Sequence, residues 1–402
     1  MESNCDCNDV EHNDLVKTIE PESFFSKLYY KFTNINASIK TGIEYKFQGL
    51  PYGYLTNFSR YAFNKFYDLI LASKLSAPIA KWSSCSISKD GKYMSALSSY
   101  NLTDQQYLQN DGVWVSRDNG TSWIQRYHSN MKWTDIAVSS SGQYQTALSS
   151  YMGDGLLGGI WVSNDYGENF IFKQINDRNI SASSLQWSSI SMSGDGKYQL
   201  VTETVFGNIY ISKDYGQTWD KITSLTGKNF KSIYINNNRT NNISEYYILA
   251  TAGYPSQGAW RSIDLGRTWT QITNINGNFI SGCCMSDDGS FQTIISSYSN
   301  INGITQPKVW YSTNYGMTWM VSNITADFNG KVLTNISMTQ DGKTQYISSS
   351  TGYIFYSSDY GQNWRILIKN NNFIKNWTSI CTNDNNSYTL TAGYLDYLYI
   401  IY

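Results

Sequence analysis

An eight-residue motif that recurs every 45–50 residues constrains the fold of this 402-residue chain more than any other feature. In its fullest form, residues 212–219, it reads Ser-x-Asp-x-Gly-x-Thr-Trp, and it is called the box below. The third positions of the six copies are Asp118, Asp165, Asp214, Asp264, Asn314 and Asp359, and their spacings are 47, 49, 50, 50 and 45 residues. A period of this length is typical of solenoids, propellers and repeat arrays.

Each box has the chemistry of a hairpin turn. Apolar runs lie on both sides of the third copy, at residues 207–211 and 219–222, so the box is predicted to join two strands. The Ser and Asp side chains can accept hydrogen bonds from backbone N–H groups of the turn, and Gly adopts a positive φ without steric cost. The closing Trp is expected to bury a large apolar surface beneath the turn.

A second element, strand–turn–strand, recurs seven times. The copies open at Trp82, Trp133, Trp187, Phe230, Ile280, Leu333 and Trp377, and four of them turn on an Asp-Gly pair. An Asp-Gly pair between two apolar runs predicts a tight hairpin. Together with the box, each repeat therefore contains four predicted strands, and all 13 tryptophans fall on three positions of the repeat.

The boxes resemble the Asp-box (BNR) repeats of sialidases, sortilin-type receptors, certain glycoside hydrolases and photosystem assembly factors. The resemblance covers residues 79–402 and implies a β-propeller, in which the Asp-box is a structural turn. With seven copies of the strand–turn–strand element, we expect an all-β, seven-bladed propeller of four-stranded antiparallel blades. The composition is rich in Asn, Ile, Lys, Ser and Tyr, which suggests an AT-rich genome such as that of a large DNA virus or a protist. A viral source would favour a virion-associated role.

The first 78 residues are predicted to differ from the repeats. Residues 1–20 are polar and acidic, which is typical of a disordered tail. Residues 21–78 form an extension with an alternating, strand-like stretch at 43–48 and apolar residues at helical spacing over 59–75. The last repeat provides only three strands before the chain stops. We therefore expect the extension, with 43–48 as the candidate, to supply the outer strand that closes the ring.

Charge and composition exclude several function classes. The formal net charge is −1 and the sequence pI is about 6.2, so no nucleic-acid partner is expected. No apolar run approaches 18 residues, and the N-terminus lacks the pattern of a secretory signal, so we expect synthesis in the cytosol and no membrane span. Four of the six cysteines, Cys85, Cys283, Cys284 and Cys381, lie in predicted strands and are expected to stay reduced. For Cys5 and Cys7 the alternatives are a metal or redox pair and a disordered tail, and the tail is favoured. Two histidines are too few for a His-rich metal site, and no metal or cofactor is expected.

The predicted binding site lies on the face opposite the boxes, called the loop face. Loops of variable length on a rigid scaffold often carry binding residues. Strand one opens on this face with Trp82, Trp133, Trp187 and Trp377, and strand two ends there with Tyr100, Tyr151 and Tyr298. A mouth lined by these aromatic residues would suit a glycan or a protein partner. The alternative is that the aromatic residues pack between neighbouring blades.

A catalytic role is the competing hypothesis. Glycoside hydrolysis requires two carboxyl groups across one cleft, and Asp135 with Asp154 or Glu203 is the candidate pair on the loop face. The alternative is that these are solvated loop acids. The three-arginine cluster of sialidases cannot be placed among the eight arginines. A non-catalytic binding or structural propeller is therefore the favoured prediction, with a glycoside hydrolase as the second hypothesis.

Overall fold

The computed structural model describes residues 72–99, 110–128, 131–150, 158–175, 185–237, 242, 245–253, 258–275, 279–301, 304–324, 328–368, 376–384 and 386–401. The chain divides into two compact units, Met1–Tyr67 and Asp68–Tyr402, and all described residues belong to the second. The expected tail at residues 1–20 and the strand-like stretch at 43–48 lie outside the described residues.

The described residues form β-strands joined by turns and short loops, and no α-helix occurs among them. The strands follow the sequence repeats, which are numbered 1 to 7 in chain order. Repeat 1 contains β2 (Ala80–Ile87), β3 (Met94–Ser98), β4 (Gly112–Ser116) and β5 (Ile124–His128). Repeat 2 contains β6 (Lys132–Val138), β7 (Gln145–Ser150), β8 (Gly159–Ser163) and β9 (Ile171–Lys173). Repeat 3 contains β10 (Trp187–Met192), β11 (Gln199–Glu203), β12 (Ile209–Ser212) and β13 (Asp220–Ile222).

The later repeats follow the same order. Repeat 4 contains β14 (Phe230–Ile235), β15 (Ile248–Ala252), β16 (Gly258–Ser262) and β17 (Thr270–Gln271). Repeat 5 contains β18 (Phe279–Met285), β19 (Gln292–Ile301), β20 (Ile304–Gln306), β21 (Val309–Ser312) and β22 (Met320–Val321). Repeat 6 contains β23 (Leu333–Met338), β24 (Gln345–Ser349), β25 (Ile354–Ser357) and β26 (Arg365–Ile368). Repeat 7 contains β27 (Trp377–Thr382), β28 (Thr389–Asp396) and β29 (Leu398–Ile401).

The strands pair in chain order into antiparallel sheets, which confirms the predicted all-β class and the four-stranded unit. Repeats 2, 3, 4 and 6 each form a four-stranded sheet, and repeat 5 adds β20 to make five strands. Repeats 1 and 7 share one eight-stranded sheet, because β2 pairs with β28 at Ala80↔Asp396 and Lys81↔Tyr394. This link is only two residue pairs long.

The outer strand of repeat 7 comes from the N-terminal side of the repeats. Strand β1 (Ala72–Lys74) pairs antiparallel with β29, with Ser73 opposite Ile400. This corrects two predictions: the outer position is filled by Ala72–Lys74 rather than by residues 43–48, and the end of the predicted helix over 59–75 is extended. The physical reason is the exposed edge of β29, whose unpaired backbone groups favour a strand partner over local helical spacing.

A second departure from expectation lies in repeat 5. On the loop face, where loops of variable length are predicted, residues 299–301 and 304–306 of repeat 5 form regular structure. Strand β19 continues to Ile301 and folds back on β20, pairing Ser299 with Gln306 and Ile301 with Ile304. The end of strand two in repeat 5 therefore forms a β-hairpin with β20.

The core lies between neighbouring sheets. One cluster joins Leu200 and Ile211 of repeat 3 to Phe230 and Ile248 of repeat 4, and further clusters join other adjacent repeats. In all seven repeats a β-bulge or register shift interrupts the pairing of strand one just after its first aromatic or apolar residue, as between Trp133 and Asp135. A bulge changes the direction of the side chains that follow it.

Candidate functional site

The box turns form one end of the sheets, and the third box shows how they are held. Asp214 Oδ1 accepts hydrogen bonds from Ser212 Oγ at 2.8 Å and from the Thr218 backbone N–H at 2.9 Å. Its Oδ2 accepts one from Thr218 Oγ1 at 2.6 Å. Ser212 Oγ in turn accepts the Gly216 N–H at 2.9 Å, and Trp219 donates its indole N–H to the Gly216 carbonyl. The polar side chains of Ser212, Asp214, Thr218 and Trp219 therefore all form hydrogen bonds within the turn.

Asn314, which stands where the other boxes have Asp, makes the same contacts. Its Oδ1 accepts from Ser312 Oγ at 3.0 Å and from the Thr318 N–H at 2.9 Å, and its Nδ2 donates to Thr318 Oγ1 at 2.8 Å. An amide can thus replace the carboxylate because the neighbouring hydroxyl can either donate or accept.

The hydrogen bonds lower the pKa values of the box carboxylates. Burial alone would raise the pKa of Asp214, but the bonds donated by Thr218 and Ser212 outweigh it and hold the pKa below its ordinary value. The pKa values of the other box aspartates are lowered in the same way: Asp118, Asp165, Asp264 and Asp359. These residues are therefore ionised near neutral pH and serve as turn acceptors.

The box end is also where neighbouring repeats contact each other. Tyr215, at the fourth box position, has a φ of 62° and stacks on Tyr144 of the preceding repeat at 4.5 Å. Tyr93 with Tyr166 and Tyr247 with Tyr315 pair in the same manner. These ring pairs therefore contribute to the packing between neighbouring repeats.

The first strands of the repeats surround one cavity of about 180 Å³. Its lining comes from β2, β6, β10, β14, β18, β23 and β27; each of these strands contacts the next, and β27 contacts β2. The exposed surface of the wall is mostly polar, and it includes residues that directly follow a bulge: Ser84, Asp135, Ser189, Ser232 and Asn335. Near the box end, Lys89 forms an ion pair with Asp384 at 2.5 Å and a longer one with Asp287 at 3.6 Å.

Asp135, one of the predicted catalytic acids, lies in this cavity wall. Its Oδ1 accepts from Ser84 Oγ at 2.7 Å and from the Ile136 N–H, and its Oδ2 accepts from the Ile190 N–H at 2.9 Å. Burial raises the pKa of Asp135, although these hydrogen bonds oppose the shift. The carboxylate thus ties together strands of repeats 1, 2 and 3.

Glu203, the second predicted acid, lies at the loop-face end of β11 and is fully buried. Its carboxylate accepts the backbone N–H groups of Val205, Phe206 and Asn208 at 2.8–3.1 Å. Burial raises the pKa of Glu203, against the effect of these bonds and of the Lys221 charge. In this geometry Glu203 braces a turn. Asp154, the third candidate, lies outside the described residues.

The four tryptophans that open strand one do not present their rings to solvent. Trp82, Trp133, Trp187 and Trp377 are 0–3% exposed and pack against residues of the adjoining strands and sheets. Trp133, for example, contacts Tyr127 edge-on and Trp161 with the two rings tilted. Their burial agrees with the alternative that these aromatic rings pack between neighbouring blades. Buried rings do not line a mouth at the surface of the loop face. Tyr100 and Tyr151 lie outside the described residues, and for Tyr298 only the backbone, in β19, is described.

The exposed apolar residues of the loop face are different ones. Val205 is 51% and Phe206 48% exposed at the tip of the turn braced by Glu203, which we call the repeat 3 tip. Tyr394 and Leu395, where β28 turns into β29, are each 38% exposed. In the sequence, the repeat 3 tip is visible as the apolar pair Val205-Phe206 within a short loop.

Among the described residues, no group of three or more His, Cys, Asp or Glu side chains is placed to hold a metal ion. No helical segment in the described part of the chain has the length and hydropathy of a membrane span.

Comparisons with known proteins show the fold. No family model matches the chain, and no curated protein matches it. Among solved structures, YCF48 from Cyanidioschyzon merolae superposes with a TM-score of 0.59 at 13% identity, covering 83% of this chain and 98% of that one. A structure of YCF48 bound to D1 peptide gives 0.57 at 14% identity, with 82% and 95% covered. The GH74 xyloglucanase from Xanthomonas campestris gives 0.62 at 11% identity; the match covers 82% of this chain but 53% of the xyloglucanase. These neighbours are β-propellers, and the chain has the propeller fold.

Proposed function

We propose that this chain is a seven-bladed Asp-box propeller that binds a protein partner, without catalysis, through its loop face. The observation that carries the proposal is the repeat 3 tip. Val205 and Phe206 expose about half of their apolar surface, and buried Glu203 holds the backbone of both residues by hydrogen bonds. Exposed apolar groups on a rigid turn are suited to docking, because little conformational entropy is lost on binding.

The seven-blade count is supported by the ring of first strands around the cavity. The eight-stranded sheet divides naturally into two blades, since β2 and β28 pair over only two residue pairs whereas β2 and β3 pair over five. On this division β1 is the outer strand of the last blade. The chain then leaves that blade at Lys74 and enters the first blade at Ala80.

A protein partner is favoured over a glycan by the character of the exposed residues. The tryptophans expected to stack on sugar rings are buried, and the exposed groups at the repeat 3 tip are aliphatic and phenyl. Apolar and aromatic side chains of this kind form the centres of protein–protein interfaces. A neighbour of the same fold, YCF48, has been solved with D1 peptide. A glycan ligand remains an outcome that the experiment can reveal.

The test compares the two ends of the propeller. A random-sequence peptide library would be selected on the full chain, and the enriched peptides measured against Val205→Ser/Phe206→Ser and against Met317→Ser. Met317 is a matched control because it is apolar, 65% exposed and part of a box on the opposite face. We expect an affinity loss of about tenfold or more for the tip variant, as for loss of an apolar anchor, and none for the control.

Four results would contradict the proposal. Equal peptide affinity for both variants, or a loss confined to Met317→Ser, would place the binding site elsewhere. Binding on a glycan array with no enriched peptide would make the ligand a carbohydrate. Turnover of chromogenic glycosides that disappears in Asp135→Asn would make the protein a hydrolase.

A further inference from the structure

The first and last repeats meet at a seam that carries a pair of cysteines. Strand β2 of repeat 1 and strand β27 of repeat 7 are neighbours around the central cavity. Non-covalent contacts hold this seam, including Thr378 Oγ1 to the Trp82 carbonyl at 2.8 Å and the Cys85 N–H to Ser379 Oγ at 3.2 Å. No covalent bond joins the seam in the structure, because Cys85 and Cys381 are both free.

The two thiols are in direct contact. Cys381 Sγ lies 3.4 Å from Cys85 Sγ, although the residues are 296 positions apart in the chain. Cys85 Sγ also lies 3.5 Å from Ser379 Oγ and 3.7 Å from the Leu390 carbonyl. Cys283 also borders the cavity, but its sulfur contacts Ser232 Oγ and the Leu249 carbonyl instead of another thiol. Among the four cysteines that the structure describes, the seam pair is therefore the one with a sulfur–sulfur contact.

A small reagent can reach the pair from the cavity. Cys85 and Cys381 are both lining residues of the central cavity, and Cys381 is partly exposed to it. The wall around them is polar, with Ser84, Ser86 and Thr382 nearby, so a molecule of the size and polarity of water or hydrogen peroxide fits.

We propose that Cys85 and Cys381 are a modification site, at which a peroxide converts the two thiols into a disulfide that closes the propeller ring covalently. In the first step one cysteine attacks a peroxide oxygen; the O–O bond breaks, and a sulfenic acid and one water form. In the second step the other cysteine attacks the sulfenic sulfur, and its S–O bond breaks to release a second water. Two thiols and one hydrogen peroxide thereby give one disulfide and two waters.

The bond requires only a short movement. The sulfur atoms must approach from 3.4 Å to about 2.05 Å across strands that are already packed together. Burial, followed by the contact with Cys85, raises the pKa of the Cys381 thiol well above its ordinary value. Because the thiolate is the reactive form, the pair should react slowly near neutral pH and faster in alkaline solution.

The expected consequence is a locked seam. A cross-link between residues 296 positions apart closes a very long loop, and long loops give the largest reduction of unfolded-state entropy. For a folded unit of this size the loop-closure term corresponds to a rise of about 5–8 °C in the unfolding midpoint. In the reduced protein this seam is held by non-covalent contacts, among them the β2–β28 pairing and the hydrogen bonds of Thr378 and Ser379.

The experiment treats the full chain with hydrogen peroxide, blocks the remaining thiols, and digests it with trypsin without reduction. Cleavage after Lys81, Lys89 and Lys375 places Cys85 in a peptide of residues 82–89 and Cys381 in residues 376–402. We expect these two peptides to appear as one cross-linked species that is two hydrogens lighter than their sum. It should form faster at pH 9 than at pH 7, and it should disappear on reduction.

Variants separate the proposal from general oxidation. Cys85→Ser and Cys381→Ser should each abolish the cross-link and the rise in midpoint, whereas Cys283→Ser should keep both. The proposal is overturned if both seam thiols stay free under conditions that oxidise a small-molecule thiol. It is also overturned if Cys85 is oxidised without forming a cross-link, or if the cross-linked chain unfolds at the same temperature as the reduced chain.

Discussion

Replacing Asp214 with alanine tests the structural role of the box at its best-formed copy. The carboxylate accepts three hydrogen bonds, from Ser212 Oγ and from the backbone and side chain of Thr218. Thr218 is exposed, so water can replace Asp214 as the acceptor for its two donors. Ser212 is fully buried, and its hydroxyl proton would be left without this acceptor.

The expected loss of stability follows from this difference in exposure between Thr218 and Ser212. An unsatisfied buried hydroxyl costs about 1–3 kcal/mol, and the loss of exposed bonds adds little. At about 2.1 cal/mol/K per residue, the unit Asp68–Tyr402 has an unfolding entropy of about 0.7 kcal/mol/K. Asp214→Ala is therefore expected to lower the unfolding midpoint by about 1–4 °C in differential scanning calorimetry.

Two further variants test whether this hydrogen-bond network stabilises the turn. Asp214→Asn should cost less than about 0.5 kcal/mol, because Asn314 already makes the same set of bonds in its own box. Ser212→Ala combined with Asp214→Ala should cost less than the sum of the two single changes, since removing the hydroxyl also removes the unpaired donor. A neutral Asp214→Ala variant, or strict additivity of the pair, would show that this network does not stabilise the turn.

Three further outcomes are expected. A chain lacking residues 1–75 should expose the edge of β29 and aggregate in light scattering, whereas one lacking residues 1–50 should not; equal behaviour would exclude Ala72–Lys74 as the sole closing strand. The lowered pKa of Asp214 means that its stabilising contribution is present above the unfolded value of 3.8 and is lost as pH falls through the folded value. Acid titration of the unfolding midpoint should be less steep for Asp214→Asn than for the wild type, and identical slopes would contradict this. Gly196→Ala should lower the calorimetric midpoint, because φ is +78° and a Cβ would lie 2.8 Å from Tyr144; an unchanged midpoint would show that the turn can relax.

The sequence alone determined the features that depend on local chemistry. The box predicts its own turn because Ser, Asp, Gly and Trp satisfy one another's hydrogen-bonding groups within eight residues. The Asp-Gly pairs likewise predict the tight turn between strands one and two. The period then fixes one four-stranded unit per repeat. Residues such as Asp214 and Gly216 therefore have the roles that their spacing predicts.

Tertiary structure decided what depends on residues distant in the chain. Residues 72–74 continue a helical pattern but form a strand, because the edge of β29 offers hydrogen bonds that no local pattern reveals. A bulge after Trp133 accompanies the burial of its ring, while Asp135 two residues later lines the cavity. The contact of Cys85 with Cys381 exists only because the ring brings its first and last repeats together, and no sequence period encodes that meeting.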